Sequence, residues 1–150
     1  MALSWKSNLS GTECRIFRDK LIVGLLKTSI WKEDGYGELN GHLLRFKGEG
    51  WFNTTTKILD IEGKKELGKI RYNYWKGSAT INYEDQEYEW KFQSWTRKKW
   101  VVQNAEDAAT FQLSSFWKNE GSVDNDYIPA GIILSALYVS NYWRKIAASS

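Results

Sequence analysis

Cysteine, histidine, proline and methionine each occur once in this chain, and each scarcity excludes something. With Cys14 as the only thiol, no intrachain disulfide can form and no cysteine cluster can hold zinc. A reducing, cytoplasmic location therefore fits, with attachment to membranes expected to be peripheral. With His42 as the only imidazole, neither a histidine-based triad nor a histidine metal site is announced. The first residues, Met-Ala-Leu-Ser-Trp-Lys-Ser-Asn, lack the basic stretch and apolar run of a secretory signal, so the sequons at Asn8 and Asn53 are given no weight. Long runs of one charge are missing too. The 21 lysines and arginines are scattered among 18 carboxylates for a net charge of +3, and no nucleic acid partner is expected. No cofactor and no enzymatic activity are expected either.

What the chain has in quantity is aromatic residues, nine of them tryptophan, and with one proline to interrupt a ladder this composition points to β structure. Alternation is clearest from Glu87 to Gln93, where Tyr88, Trp90 and Phe92 face one way and Glu87, Glu89, Lys91 and Gln93 the other. The same period recurs at Ile70, Tyr72 and Tyr74, and at Ala79, Ile81 and Tyr83. Further strands are predicted at Leu3 to Asn8, Cys14 to Phe17, Leu21 to Thr28, Glu38 to Phe46, Lys57 to Ile61, Lys99 to Gln103 and Thr110 to Phe116. Turns are predicted at Gly48-Glu49-Gly50, Glu62-Gly63-Lys64-Lys65, Lys76-Gly77 and Glu84-Asp85-Gln86. Connections this short join antiparallel neighbours. The reading is one domain, roughly ten strands in a meander closed into a sandwich or barrel.

From Tyr127 to Trp143 the chain carries no formal charge. A helix apolar on all faces has to be buried in a bilayer or in protein. Seventeen helical residues span about 25 Å, short of the ~30 Å hydrocarbon core, and Ser135, Ser140 and Asn141 interrupt the apolar surface. The helix, about residues 128–145, is read as threading the interior of the sheet, ahead of packing on its outside or acting as a tail anchor. Asn119 to Asp126 reads as a loop, with Asn125 or Asp126 capping the helix and Pro129 in its first turn.

Four features together resemble the tubby-like superfamily, which takes in tubby C-terminal domains, phospholipid scramblases and LURP-one-related plant proteins. They are the alternating aromatic strands, the run Lys69-Ile70-Arg71-Tyr72-Asn73-Tyr74-Trp75 after Glu66-Leu67-Gly68, the pair Trp95 and Trp100 around Thr96-Arg97-Lys98-Lys99, and the terminal apolar helix. The resemblance covers roughly Glu38 to Lys145. It implies a closed antiparallel barrel wrapped around the helix and a membrane-associated or phosphoinositide-binding module; many members have no assigned activity.

The candidate contacts for an anionic membrane lipid are Arg97, Lys98, Lys99, Lys64 and Lys65, with Arg144-Lys145 as a third basic cluster. They would serve if two clusters met on one rim; otherwise they occupy solvated turns. Trp51, Trp75, Trp95 and Trp117 are read mostly as packing residues, although exposed indoles can stack on sugar rings. Cys14 is read as a small buried hydrophobe, His42 as an ordinary strand residue, Gly35 to Gly41 as a turn, and Glu87 with Glu89 as solvated carboxylates. The competing function is a carrier of the lipocalin or fatty-acid-binding type, in which the helix lies outside and the lumen holds an apolar ligand.

Overall fold

The computed structural model describes residues 3–29, 34–49, 54–115, 117–124 and 127–148. Twelve strands follow in order: β1 (Leu3–Ser7), β2 (Glu13–Arg18), β3 (Leu21–Thr28), β4 (Asp34–Leu39), β5 (His42–Glu49), β6 (Thr55–Asp60), β7 (Glu66–Asn73), β8 (Ser78–Tyr83), β9 (Gln86–Phe92), β10 (Lys99–Gln103), β11 (Ala108–Ser115) and β12 (Glu120–Val123). Each pairs antiparallel with its neighbours in sequence, and β1 closes the ring on β12, with Trp5 opposite Gly121. Closure leaves no edge strand to pair with another chain. The period-2 pattern supplies the two faces. On β9, for example, Tyr88 and Trp90 are buried while Glu87, Glu89 and Lys91 are exposed.

Two strands depart from the expected meander. Where one strand was predicted from Glu38 to Phe46, there are two, β4 and β5, turning at Asn40 and Gly41, which have φ of 51° and 83°. Two successive left-handed residues make the hairpin turn whose twist matches the strands, and Asn-Gly is its preferred dipeptide. The glycine stretch from Gly35 is thus mostly strand, and Gly48 and Glu49 likewise belong to β5 rather than to a turn. The second departure is β12, which replaces part of the predicted loop from Asn119 to Asp126.

The helix α1 (Ala130–Ala148) lies inside the ring, and every residue from Gly131 to Trp143 is buried. Burial on all faces requires protein on all sides, and the contacts come from around the barrel. Tyr138 stacks on Phe46 of β5 with centroids 4.6 Å apart, Tyr142 on Tyr72 of β7 at 3.8 Å, and the Trp90 indole of β9 donates to the Ala136 carbonyl at 3.1 Å. The polar residues are also accommodated: Ser135 donates to the Gly131 carbonyl at 2.6 Å, and Asn141 donates to the Gly11 carbonyl at 3.2 Å. Pro129 sits just ahead of the first helical residue, and its carbonyl accepts from the Ile132 and Ile133 amides. The predicted caps Asn125 and Asp126 lie outside the described residues. No described helix is long and apolar enough to cross a membrane.

Candidate functional site: the upper rim

Because consecutive strands reverse direction, the connections alternate between two ends of the barrel. Those after odd-numbered strands gather at the end we call upper, together with the C-terminus of α1. Asn141 reaching the β1–β2 connection at Gly11, and Lys145 donating to the Ser29 carbonyl at 2.6 Å, place the helix end there. The lower end holds the connections after even-numbered strands and the start of α1.

The upper connections have an unusual composition. Trp75, Trp95 and Trp117, one from each of three successive upper connections in the ring, are 100%, 94% and 91% exposed. Leu9, in the β1–β2 connection, is fully exposed as well. The expectation that these tryptophans pack inside is therefore corrected for the three described; Trp51 lies outside the described residues. Each exposed indole has a cation beside it in sequence: Lys76 after Trp75, Arg97 and Lys98 after Trp95-Thr96, and Lys118 after Trp117. With Arg144 and Lys145 from the last turns of α1, the described upper connections and helix end hold six cations and no carboxylate. A turn does not require indole or lysine, since its geometry is best met by Gly, Asn, Asp and Pro.

Local geometry fixes several of these groups. In the β9–β10 connection Arg97 has a left-handed backbone, φ 62°, and its amide donates to the Ser94 carbonyl at 3.0 Å. Its guanidinium lies 5.1 Å from the Phe92 ring centroid, a cation–π contact. In the β7–β8 connection the Asn73 side chain accepts from the Trp75 and Lys76 amides at 3.1 and 3.2 Å, leaving the indole at the tip. Arg144 is half-buried, and that burial holds its guanidinium below its ordinary pKa.

The predicted lipid contacts divide between the ends. Arg97 and Lys98 are on the upper rim with Lys99 at the start of β10, and Arg144-Lys145 joins them there. Lys64 and Lys65 lie in the β6–β7 turn at the lower end. Their amides donate to the Asp60 carboxylate at 2.8 and 3.2 Å; these bonds, that from Lys65 first, hold its pKa below the usual value. The Lys64 ammonium pairs with Glu62 at 3.3 Å. That pair of lysines thus closes a turn away from the other two clusters. The described residues of the lower connections include seven carboxylates, Asp19, Glu62, Glu84, Asp85, Glu106, Asp107 and Asp124, against Lys20, Lys64 and Lys65.

The remaining candidates sit where bland readings placed them. Cys14 is buried, and desolvation pushes its thiol up to about 12, offset in part by a hydrogen bond with Ser7. His42 opens β5 at the surface. Glu89 is exposed and pairs with Lys91 at 3.6 Å. Among the described residues no group of three His, Cys, Asp or Glu is placed to hold a metal ion. The interior space lined by Trp5, Cys14, Leu26 and Leu137 is only about 10 Å³, at the lower limit for one water. Compared with known protein families, curated proteins and solved structures, the chain matches none.

Proposed function

We propose that this protein is a non-enzymatic, peripheral membrane-binding module that docks its upper rim on an anionic lipid surface. The observation that carries this reading is the set of three fully exposed tryptophans, each beside a cation, in connections whose described residues include no carboxylate, the acidic groups at that end being Glu13, Asp34, Glu49 and Glu120 at the strand ends. Tryptophan is favoured at the headgroup level of a bilayer, where its ring is amphipathic and its N–H meets polar groups. Each cation near an anionic leaflet adds on the order of 1 kcal/mol, falling off within a Debye length. A large exposed apolar group in water has no such compensation, so a cluster of them marks an interaction surface. The resemblance to the tubby-like superfamily, which implies a closed barrel around a central helix and phosphoinositide binding, puts the anionic cytoplasmic leaflet first among the surfaces to test.

The carrier reading fares less well, because the helix occupies the space in which a carrier holds its ligand. The deciding experiment is co-sedimentation of the full chain with vesicles of phosphatidylcholine alone and of phosphatidylcholine with phosphatidylserine. Partition into the anionic vesicles at 50 mM salt, reduced at 500 mM, is expected. Equal recovery in the supernatant with both compositions would sink the proposal.

A further inference from the structure

The outer face of β3 to β6 carries a groove of about 510 Å³, within the ~300–1,000 Å³ typical of small-molecule sites. It runs down the flank of the barrel from Ser29 at the upper end to Glu62 and Gly63 of the lower β6–β7 turn. Strand register builds its floor. Lys27, Tyr36, Arg45 and Leu59 stand side by side in one row across four successive strands and line the groove together. Tyr36 is 39% exposed, with a cation on each side of it in the row. Folding accounts less well for the next row. Lys47 stands opposite Lys57, and Lys57 opposite Lys69, although like charges directly opposed destabilise a sheet. Glu49 lies 3.9 Å from both Lys57 and Lys69, and Glu66 lies 3.9 Å from Lys57. Lys47, on the groove, pairs with no carboxylate among the described residues, even though Asp34 is its neighbour on the other side; nor does Lys27. Arg45 donates its Nε–H to the Ile61 carbonyl at 3.1 Å, which ties the guanidinium to the wall of the groove.

We propose that this groove binds a mononucleotide, with its base against the Tyr36 ring and its phosphate held by Lys27, Arg45 and Lys47. Both signs of charge face the groove, since Asp34 and Glu62 line it beside the three cations. Glu62 is engaged by Lys64 at 3.3 Å, which leaves Asp34 as the acceptor beside Lys47. A flat anionic surface would meet Asp34 as a repulsion. A small ligand that carries an anionic group and separate hydroxyl donors fits both signs at once, the phosphate on the cations and a ribose hydroxyl donating to the Asp34 carboxylate. Hydrogen bonds from ammonium and guanidinium groups to phosphate are among the strong ones. Inorganic phosphate alone would leave Tyr36 and Leu59 unused, whereas a base has a face to lay on them. Stacking on an aromatic ring suits every base, so the geometry selects the class of ligand and not the base. The inference is independent of the membrane-docking reading, which rests on the tips of the upper rim.

The test is isothermal titration calorimetry of the full chain with adenosine monophosphate at constant ionic strength, with adenosine and ribose phosphate as separate titrants. Saturable binding of the nucleotide is expected, tighter than either half by about tenfold or more. Lys47→Gln and Tyr36→Ala, both at exposed strand positions, should each weaken it by about tenfold. Lys91→Gln, on β9 outside the groove, should leave it unchanged. Thermal unfolding of each variant checks the fold. If Tyr36→Ala lowers the melting temperature, Lys47→Gln carries the test, because its ammonium makes no ion pair among the described residues that the change could break. Absence of saturable binding by the nucleotide would overturn the site. Ribose phosphate binding as tightly as the nucleotide would leave Tyr36 without a base to hold and would overturn the assignment. An equal loss in Lys91→Gln would trace the binding to net charge and overturn the groove as its location.

Discussion

The two ends of this barrel are built from turns of the same twelve strands, yet they solve different problems. The lower end closes its hairpins with Asn40-Gly41, the left-handed pair Glu84-Asp85, and the Asp60 carboxylate accepting amides across the β6–β7 turn, as the upper end does with Asn73 and the left-handed Gly11, Gly77 and Asn119. The lower end's surplus of carboxylates is what a solvated end can carry. The upper end spends three tips on tryptophan and surrounds them with lysine and arginine. None of those side chains is required to reverse the chain. The contrast teaches that turn chemistry accounts for the chain reversals at both ends and leaves the upper tryptophans and their cations unexplained by folding, which is why the docking surface is proposed there.

Breaking the comparison altogether requires removing what joins the ends. A chain stopped at Tyr127 loses the helix that fills the barrel, and with it the partners of Phe46, Tyr72 and Trp90. Emptying a core of this size costs far more than a domain's net stability of about 5–15 kcal/mol. Loss of cooperative thermal unfolding by circular dichroism is expected; a truncated chain with a sharp transition would show that the ring stands without its filling. The next largest effect is on the rim. Trp75→Ala, Trp95→Ala and Trp117→Ala combined should reduce partition into anionic vesicles by 100-fold or more, since each interfacial indole contributes about 1 kcal/mol or more of apolar transfer. Because all three are exposed, the melting temperature of the triple variant should stay within about 2 °C of the parent. A fall of more than that would mean the tips stabilise the barrel, and the two ends would no longer differ in kind.

Much of this was legible in the residues. Strict alternation from Glu87 onward gave β9 its two faces, and the uncharged run to Trp143 gave a helix with no wet side, hence one inside the ring. The missed strands have physical reasons. β4 reads as a glycine-rich turn, but on its inner face Gly37 leaves room for Leu134 of the helix, whose Cδ2 would come within 3.0 Å of an added Cβ. Asn40-Gly41 was the signal that could have found the hairpin. β12 holds Glu, Gly, Ser and Val, a weak strand composition, because the Trp5 ring lies across Gly121 so closely that a Cβ there would come 2.5 Å from it. Such an exchange of side-chain volume across a sheet is invisible until the register is known. The rim failed differently. Nine tryptophans suggest packing, and only strand parity, counted over all twelve strands, separates the tips from the core and sends Lys64-Lys65 to the opposite end from Arg97-Lys98.

Charge gives a finer test of that parity. Lys76→Glu, Lys98→Glu and Lys118→Glu reverse three cations next to the exposed indoles and should weaken anionic vesicle binding by about 2–3 kcal/mol at low salt. The matched change at the lower end, Lys20→Glu, Lys64→Glu and Lys65→Glu, should alter it less than twofold. Equal losses from both sets, measured by co-sedimentation at 50 mM salt, would mean that net charge rather than the upper rim drives the binding.

The smallest predicted effect probes whether the upper end is a packed lid or a mouth. Cys14 lies near the start of β2 just below that end and lines the small interior space with Ser7, Asn119 and Asn141. Its thiol is pushed up to about 12 from an ordinary value of 9.0 by burial. Between those values the unfolded chain releases a proton that the folded chain retains, so rising pH favours unfolding. The stability contributed by the protonated thiol is complete below pH 9 and is lost as pH climbs toward 12. One pH unit above the unfolded value costs about 1.4 kcal/mol. Urea unfolding at pH 8 and pH 10 should therefore show a larger drop for the parent than for Cys14→Ala, by about that amount, with the comparison removing the shared titration of lysines and tyrosines. Equal drops would mean that water reaches the thiol through the upper end, and an indole-tipped rim over an open mouth would meet a bilayer in a different way from one over a packed lid.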